Sequence, residues 1–135
     1  MSTETLFDPL RRRDVDASPE EAVRQWFIEQ LLTVSGVPAH LMMSETGFTF
    51  GAKRYRADIL VYDRNASPLA VVECKRPDVP LTADVARQAL RYDMVLGVHW
   101  IFLTNGGSTM VFRRSGDRFE PFRQMPDYEQ MLCRQ

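Results

Sequence analysis

The positions that bury along this chain follow two rhythms. Val23, Trp26, Phe27, Gln30, Leu31 and Val34 recur at helical spacing and predict an amphipathic helix. Its start is marked by Ser18-Pro19-Glu20-Glu21. Ser18 serves as N-cap, Pro19 takes the first helical position and Glu21 completes a capping box. Gly36 and Pro38 stop it. Beyond them the rhythm shortens to strands: residues 40–45 and 48–50 with a bend at Gly47, then residues 55–62 and 68–75. Pro77 and Pro80 break the sheet, and Thr82 caps a second helix with Val85, Ala89, Tyr92 and Leu96 as its buried stripe, ended by Gly97. Residues 99–104 form a fourth strand, and Asn105-Gly106-Gly107 turns the chain into residues 109–113. Residues 127–133 add a short terminal helix. Residues 1–17 carry no such rhythm and read as an N-terminal arm with a solvated Arg11, Arg12, Arg13 cluster, followed by one domain over 18–135. The order α-β-β-β-α-β-β predicts a mixed α/β or α+β domain.

Composition narrows this further. With 135 residues, 44% of them apolar and 26% charged, the chain is excluded from the wholly disordered class and is long enough for one ordinary core. Its longest apolar runs, 59–62, 69–72 and 100–103, are far too short to span a bilayer. No apolar leader is visible, and Cys74 and Cys133 form no C-x-x-C. With His40 and His99 as the only histidines, a disulfide framework and a Cys/His zinc site are both excluded. A soluble protein of the reducing cytoplasm is expected, without a membrane partner. The net charge of −1 argues against generic polyanion binding. Of 17 basic residues, all but Lys53 and Lys75 are arginine, so one of these lysines is expected to do something arginine cannot.

Two carboxylates stand in apolar strands, Asp58 in Ala57-Asp58-Ile59-Leu60-Val61 and Glu73 in Val71-Val72-Glu73-Cys74-Lys75. Charges there are costly unless paired or bound to a cation. Alternation places Asp58, Leu60 and Tyr62 on one face, and Leu69, Val71, Glu73 and Lys75 on one face of the next strand. If Tyr62 pairs with Leu69 in an antiparallel hairpin, Asp58 falls opposite Glu73 with Cβ atoms about 4.5–5.5 Å apart. Facing like charges call for a cation, and two hard carboxylates with open positions suit Mg²⁺. The competing reading is a one-residue slip, or an ordinary ion pair of Asp58 with Arg56 or Arg76.

Asp58, then Glu73-Cys74-Lys75, resembles the D…(D/E)-x-K signature of the PD-(D/E)xK nuclease superfamily, whose restriction-endonuclease-like αβββαβ core, a central mixed sheet flanked by helices, has the same element order. Residues 7–11, 18–25, 55–63, 72–78 and 103–106 resemble more closely the N-terminal nuclease domain of type I restriction enzyme R subunits. Ala57 replaces the superfamily's proline, and the chain has no G-x-x-x-x-G-K-[ST], so no ATP-driven motor is inferred. The resemblance implies Mg²⁺-dependent hydrolysis of DNA phosphodiester bonds, with Mn²⁺ substituting. Asp58 and Glu73 would hold the metal, and Lys75 would orient water or offset phosphate charge.

Further candidates follow. Glu21 matches the acidic residue such folds carry on the first helix, with the capping box as its competing role; Glu20 and Glu45 are lesser acidic candidates. Gln88 matches the family's glutamine on the helix after E-x-K. Lys53, Arg54, Arg56, Arg76 and Arg91 form a candidate basic rim for the DNA backbone. Cys74 reads as a small core residue. The rival function is a non-catalytic DNA-binding or assembly module of a larger restriction or DNA-processing complex. Expected partners are DNA and either a second copy or separate helicase and specificity subunits.

Overall fold

The computed structural model describes residues 4–50, 52–91 and 96–133. The chain opens with a two-stranded antiparallel hairpin, β1 (Thr5–Asp8) and β2 (Arg13–Asp16). Then follow α1 (Pro19–Thr33), a 3₁₀ turn (Ala39–Leu41), β3 (Met42–Phe50), β4 (Lys53–Tyr62), β5 (Pro68–Cys74) and α2 (Ala83–Leu90). The chain continues through β6 (Trp100–Thr104), β7 (Thr109–Ser115), β8 (Arg118–Phe122) and α3 (Tyr128–Leu132). Strands β3 to β8 form one six-stranded sheet in sequence order. Only β5 and β6 run parallel. A parallel pair needs a crossover, and the segment carrying α2 provides it.

The sheet is covered on both faces. On one face Val23, Phe27, Ile28 and Leu31 of α1 and Met131 of α3 pack on Ile59, Val61, Val72, Trp100 and Phe102. On the other, Ala86 and Ala89 of α2 pack on Leu60, Val71, Ile101 and Leu103. Every residue of β6 is buried, as expected for a strand between two covered faces. This is the mixed sheet flanked by helices that the element order predicts.

Several expectations shift in detail. The segment read as an arm forms the β1–β2 hairpin, with Asp8 and Val15 buried, and Arg11 is tied to Glu21 and Glu45 rather than solvated. In α1, Ser18 does accept the Glu21 N–H at 3.1 Å, but the Glu21 carboxylate turns to two arginines, and the Ser18 N–H donates to the Asp16 carbonyl instead. The buried stripe of α1 is Val23, Arg24, Phe27, Ile28 and Leu31, while Trp26 and Val34 are exposed. In β3 the irregularity sits at Glu45, with φ of +51°, rather than at Gly47. Thr82 caps α2 as predicted, accepting from the Val85 N–H. The predicted stripe residue Tyr92 lies outside the described residues. Strand β8, unforeseen, is an edge strand bearing Pro121.

The β4–β5 register pairs Ile59 with Val72, Leu60 with Val71 and Val61 with Ala70, an alignment that, carried one residue further, sets Asp58 across from Glu73. A bulge at Val61/Tyr62 pairs Tyr62 with Pro68, not Leu69. Leu69 therefore joins the α1 face beside Ala70 instead of sharing a face with Val71.

Candidate active site

Asp58 sits one residue before the first β4–β5 pair, where the ladder ends. Its carboxylate takes over the pairing: Oδ2 accepts the Cys74 N–H at 2.7 Å, clipping the end of β5 to the middle of β4. Its Oδ1 accepts from Arg24 Nη2 at 2.9 Å. Glu73, only 8% exposed, is the last residue but one of β5. Glu73 Oε1 lies 3.3 Å from Lys75 Nζ, and Oε2 is buried with no hydrogen-bond partner among the described residues. Lys75 is held just past the strand by its own N–H, which donates to the Thr104 carbonyl at the end of β6 at 2.8 Å. The parallel β5–β6 pair thus sets the position of the lysine.

Asp58 takes Arg24 of α1 as a counter-ion, a residue that the sequence places far from it, while Arg76 pairs with Asp78. Arg24 is buried and also donates Nη1 to Glu21 Oε2 at 2.7 Å. Its Nη2 lies 3.7 Å from Glu45 and 3.8 Å from Glu20. Its Nε–H is buried without a partner among the described residues. Burial lowers the pKa of Arg24, but Asp58, Glu21 and Glu45 more than offset it, so the guanidinium stays charged with its pKa raised. Glu21 Oε1 accepts from Arg11 Nη2 at 2.7 Å, and Arg11 Nη1 reaches Glu45 at 2.8 Å. Asp8 closes the hairpin loop, accepting the Leu10 and Arg11 N–H groups at 2.8 and 3.0 Å and pairing with the Arg11 guanidinium. Asp8, Arg11, Glu21, Glu45, Arg24 and Asp58 therefore form one network from hairpin to sheet.

Glu21 and Glu45 are thus brought to Asp58 through arginines, while Glu20 stays half-exposed at the edge. Gln88 is exposed on α2, outside the stripe of Ala86 and Ala89. Arg54, Arg56 and Arg91 are exposed, and Arg76 pairs with Asp78 at 3.3 Å; the Lys53 side chain lies outside the described ones. An open cleft of about 810 Å³ is lined by Arg11, Glu20, Glu21, Arg24, Glu45 and Arg76, among others, and so follows the arginine–carboxylate network rather than Asp58 and Glu73 themselves. Burial, with the Asp58 charge added, pushes the Cys74 thiol well up, which fits packing rather than nucleophilic chemistry.

The residues missed by sequence reading are Arg24, Arg11 and Asp8. Arg24 did carry a signal: it stands three and four residues after Glu21 and Glu20, inside the run Val23, Phe27, Ile28 that faces the sheet.

For a divalent ion, the donors on offer are hard carboxylate oxygens. Among the described residues no group of three or more His, Cys, Asp or Glu could hold a metal. Two carboxylates plus water are what Mg²⁺ commonly takes. Glu73 Oε2 is unengaged, and each Asp58 oxygen keeps a second lone pair beyond its one hydrogen bond. The pair fits such an ion.

The six-stranded mixed sheet with helices on both faces is the architecture of restriction-endonuclease-like nucleases. The chain belongs to the type I restriction enzyme R protein N terminus (HSDR_N) family, whose model matches residues 19–126. The fold is similar to a fragment of a candidate HsdR subunit of a type I restriction enzyme from Vibrio vulnificus YJ016, with a TM-score of 0.65 and 23% identity. That match covers 84% of this chain and 24% of that one, so the chain spans about a quarter of the length of that relative. A candidate nuclease of the DUF820 group from Anabaena variabilis ATCC 29413 aligns at TM-score 0.52 and 16% identity, over 89% of this chain and 76% of that one. The type IIG restriction endonuclease BpuSI aligns at TM-score 0.51 and 20% identity, over 72% of this chain and 12% of that one. No curated protein matches significantly. No helix among the described residues is long and apolar enough to cross a membrane.

Proposed function

We propose that this restriction-enzyme R-type domain hydrolyses phosphodiester bonds of DNA with a divalent cation, Mg²⁺ or Mn²⁺, held by Asp58 and Glu73. The observation that carries the reading is Glu73 Oε2: a buried carboxylate oxygen without a donor among the described residues, on a residue whose other oxygen faces Lys75. Natural structures rarely leave such an atom unpaired without a functional reason. When bound, the ion would supply a nucleophile at neutral pH and stabilise charge on the phosphate.

The chain's own groups do the rest. Asp58 is pinned at both oxygens, so its remaining lone pairs point in fixed directions. Lys75 is a compact point charge at the rim of the pair, suited to neutralise charge growing on a phosphate oxygen or to hold an attacking water. Arg54, Arg56, Arg76 and Arg91, with Lys53, would contact the backbone of the nucleic acid without reading sequence. The shared fold makes up only a small part of the two longer relatives, which supports action within a larger assembly with helicase or specificity subunits, or as a second-copy dimer. A bare DNA-binding or assembly module is the competing reading.

Conversion of supercoiled plasmid to nicked circles tests this. Wild-type protein should nick with Mg²⁺ or Mn²⁺ and not with EDTA, and Asp58→Asn or Lys75→Ala should reduce the rate at least about a hundredfold. Metal-independent DNA binding with no cleavage by wild type would replace the enzyme with the assembly module.

A further inference from the structure

From Asp8 to Asp58 the charges alternate. Asp8 shapes the hairpin loop that aims Arg11. Arg11 holds one oxygen of Glu21 at 2.7 Å, Arg24 holds the other at 2.7 Å, and the far end of Arg24 holds Asp58 at 2.9 Å. The second Asp58 oxygen is fixed by the Cys74 N–H. Asp58 thereby has no rotational freedom left about its carboxyl group.

Two features argue that this is more than an ion pair that stabilises the fold. Arg24 is bought into the core at the expense of an unpaired Nε–H, so its fork is placed to reach two carboxylates rather than to satisfy itself. The network also begins in the β1–β2 hairpin and ends on Asp58, the residue just before the β4–β5 ladder, so it links two separate sheets of the fold.

We infer that Arg24 is the positioning residue of Asp58, and that the Arg11–Glu21 link ties the N-terminal hairpin to the affinity of the site for a divalent cation. The inference rests on the metal reading above and specifies how that site is preorganised. Outer partners of metal-binding carboxylates fix their orientation, and their loss typically costs about 10–100-fold in affinity or activity. A lysine keeps the charge of Arg24 but has no planar fork to bridge Glu21 and Asp58.

Mn²⁺ binding, read from the paramagnetic signal of the free ion, tests this on the full chain without reference to cleavage. Arg24→Lys should bind Mn²⁺ about 10–100-fold more weakly than wild type. Arg11→Gln, which leaves Asp58 untouched, should weaken it in the same direction by about 2–10-fold. Circular dichroism confirms that each variant is folded, and Arg11→Gln keeps the test decisive if Arg24→Lys does not fold. Unchanged affinity in both folded variants overturns the inference and leaves a structural ion pair. Tighter binding also overturns it, since the guanidinium would then be competing with the cation. Absence of binding by wild type is a separate result: it removes the metal reading itself, before any variant is compared.

Discussion

Glu73→Gln separates a metal carboxylate from a structural one by a change of sign. In the metal-free protein, Glu73 Oε2 is buried and unpaired. An unsatisfied buried polar atom costs about 1–3 kcal/mol, more when charged. The compensation is the contact of Oε1 with Lys75 at 3.3 Å, whose lysine is 29% exposed. Such a partly solvated pair is worth only about 0–1 kcal/mol. The orphan therefore outweighs the pair, and the glutamine variant should be as stable as wild type in EDTA or more stable by about 1 kcal/mol, a rise of about 3–5 °C in Tm for a domain of this size. With Mg²⁺ at a hundredfold excess over Kd, wild type should gain about 2.7 kcal/mol and the variant almost nothing. The order of the two melting temperatures then reverses between EDTA and Mg²⁺. Heat melts followed by the fluorescence of Trp100, which is fully buried, read both. A variant that loses about 2 kcal/mol or more in EDTA, and keeps the wild-type increment with Mg²⁺, would make Glu73 a structural ion-pair partner and not a metal ligand.

Three further outcomes follow from the same geometry. Burial alone would raise the pKa of Asp8, but the Arg11 and Leu10 N–H groups and the Arg11 guanidinium outweigh it and hold the carboxyl below its usual value. Its stabilisation is therefore present above the unfolded-state value of about 3.9 and is lost as pH falls through the lower folded value, so the Tm advantage of wild type over Asp8→Asn should shrink below about pH 4; an equal advantage at about pH 2 and pH 7 would contradict it. Phe102→Ala, at a side chain with no exposure that packs on Phe27 and Trp100, should cost about 3–5 kcal/mol in a urea melt. Asn105→Ala should cost about 1–3 kcal/mol in the same assay, because Asn105 accepts from the Gly107 and Ser108 N–H groups and donates to the Val79 carbonyl.

The parts of this molecule that were legible in the sequence are those with a local physical signature. Ser18 and Thr82 mark helix starts because their side chains satisfy N–H groups that a helix cannot. The β4–β5 alignment was readable because strands with buried faces tolerate no slip without exposing Ile59, Val61 or Val72. What stayed hidden depends on distant partners. The bulge at Tyr62 leaves no mark in the alternation. Strands of four residues such as β1 and β2 carry too little pattern to be told from an arm. The face of α1 that is buried was set by the sheet, which takes Ile28 and leaves Trp26 at the surface. Arg24 is the clearest case. Its place in the core is intelligible only once Asp58, thirty-four residues later, is known to stand beside it.

Everything proposed for this site depends on Asp58 and Glu73 together holding one divalent cation. Anomalous diffraction from crystals grown with Mn²⁺ tests it most directly. A single strong peak is expected, ligated by both carboxylates, with Glu73 Oε2 among the ligands, Arg24 still on Asp58, and Lys75 Nζ close by but outside the coordination sphere. An empty site with Glu73 Oε2 taken up by a protein donor, or a Lys75 that bridges the two carboxylates in the ion's place, would contradict it.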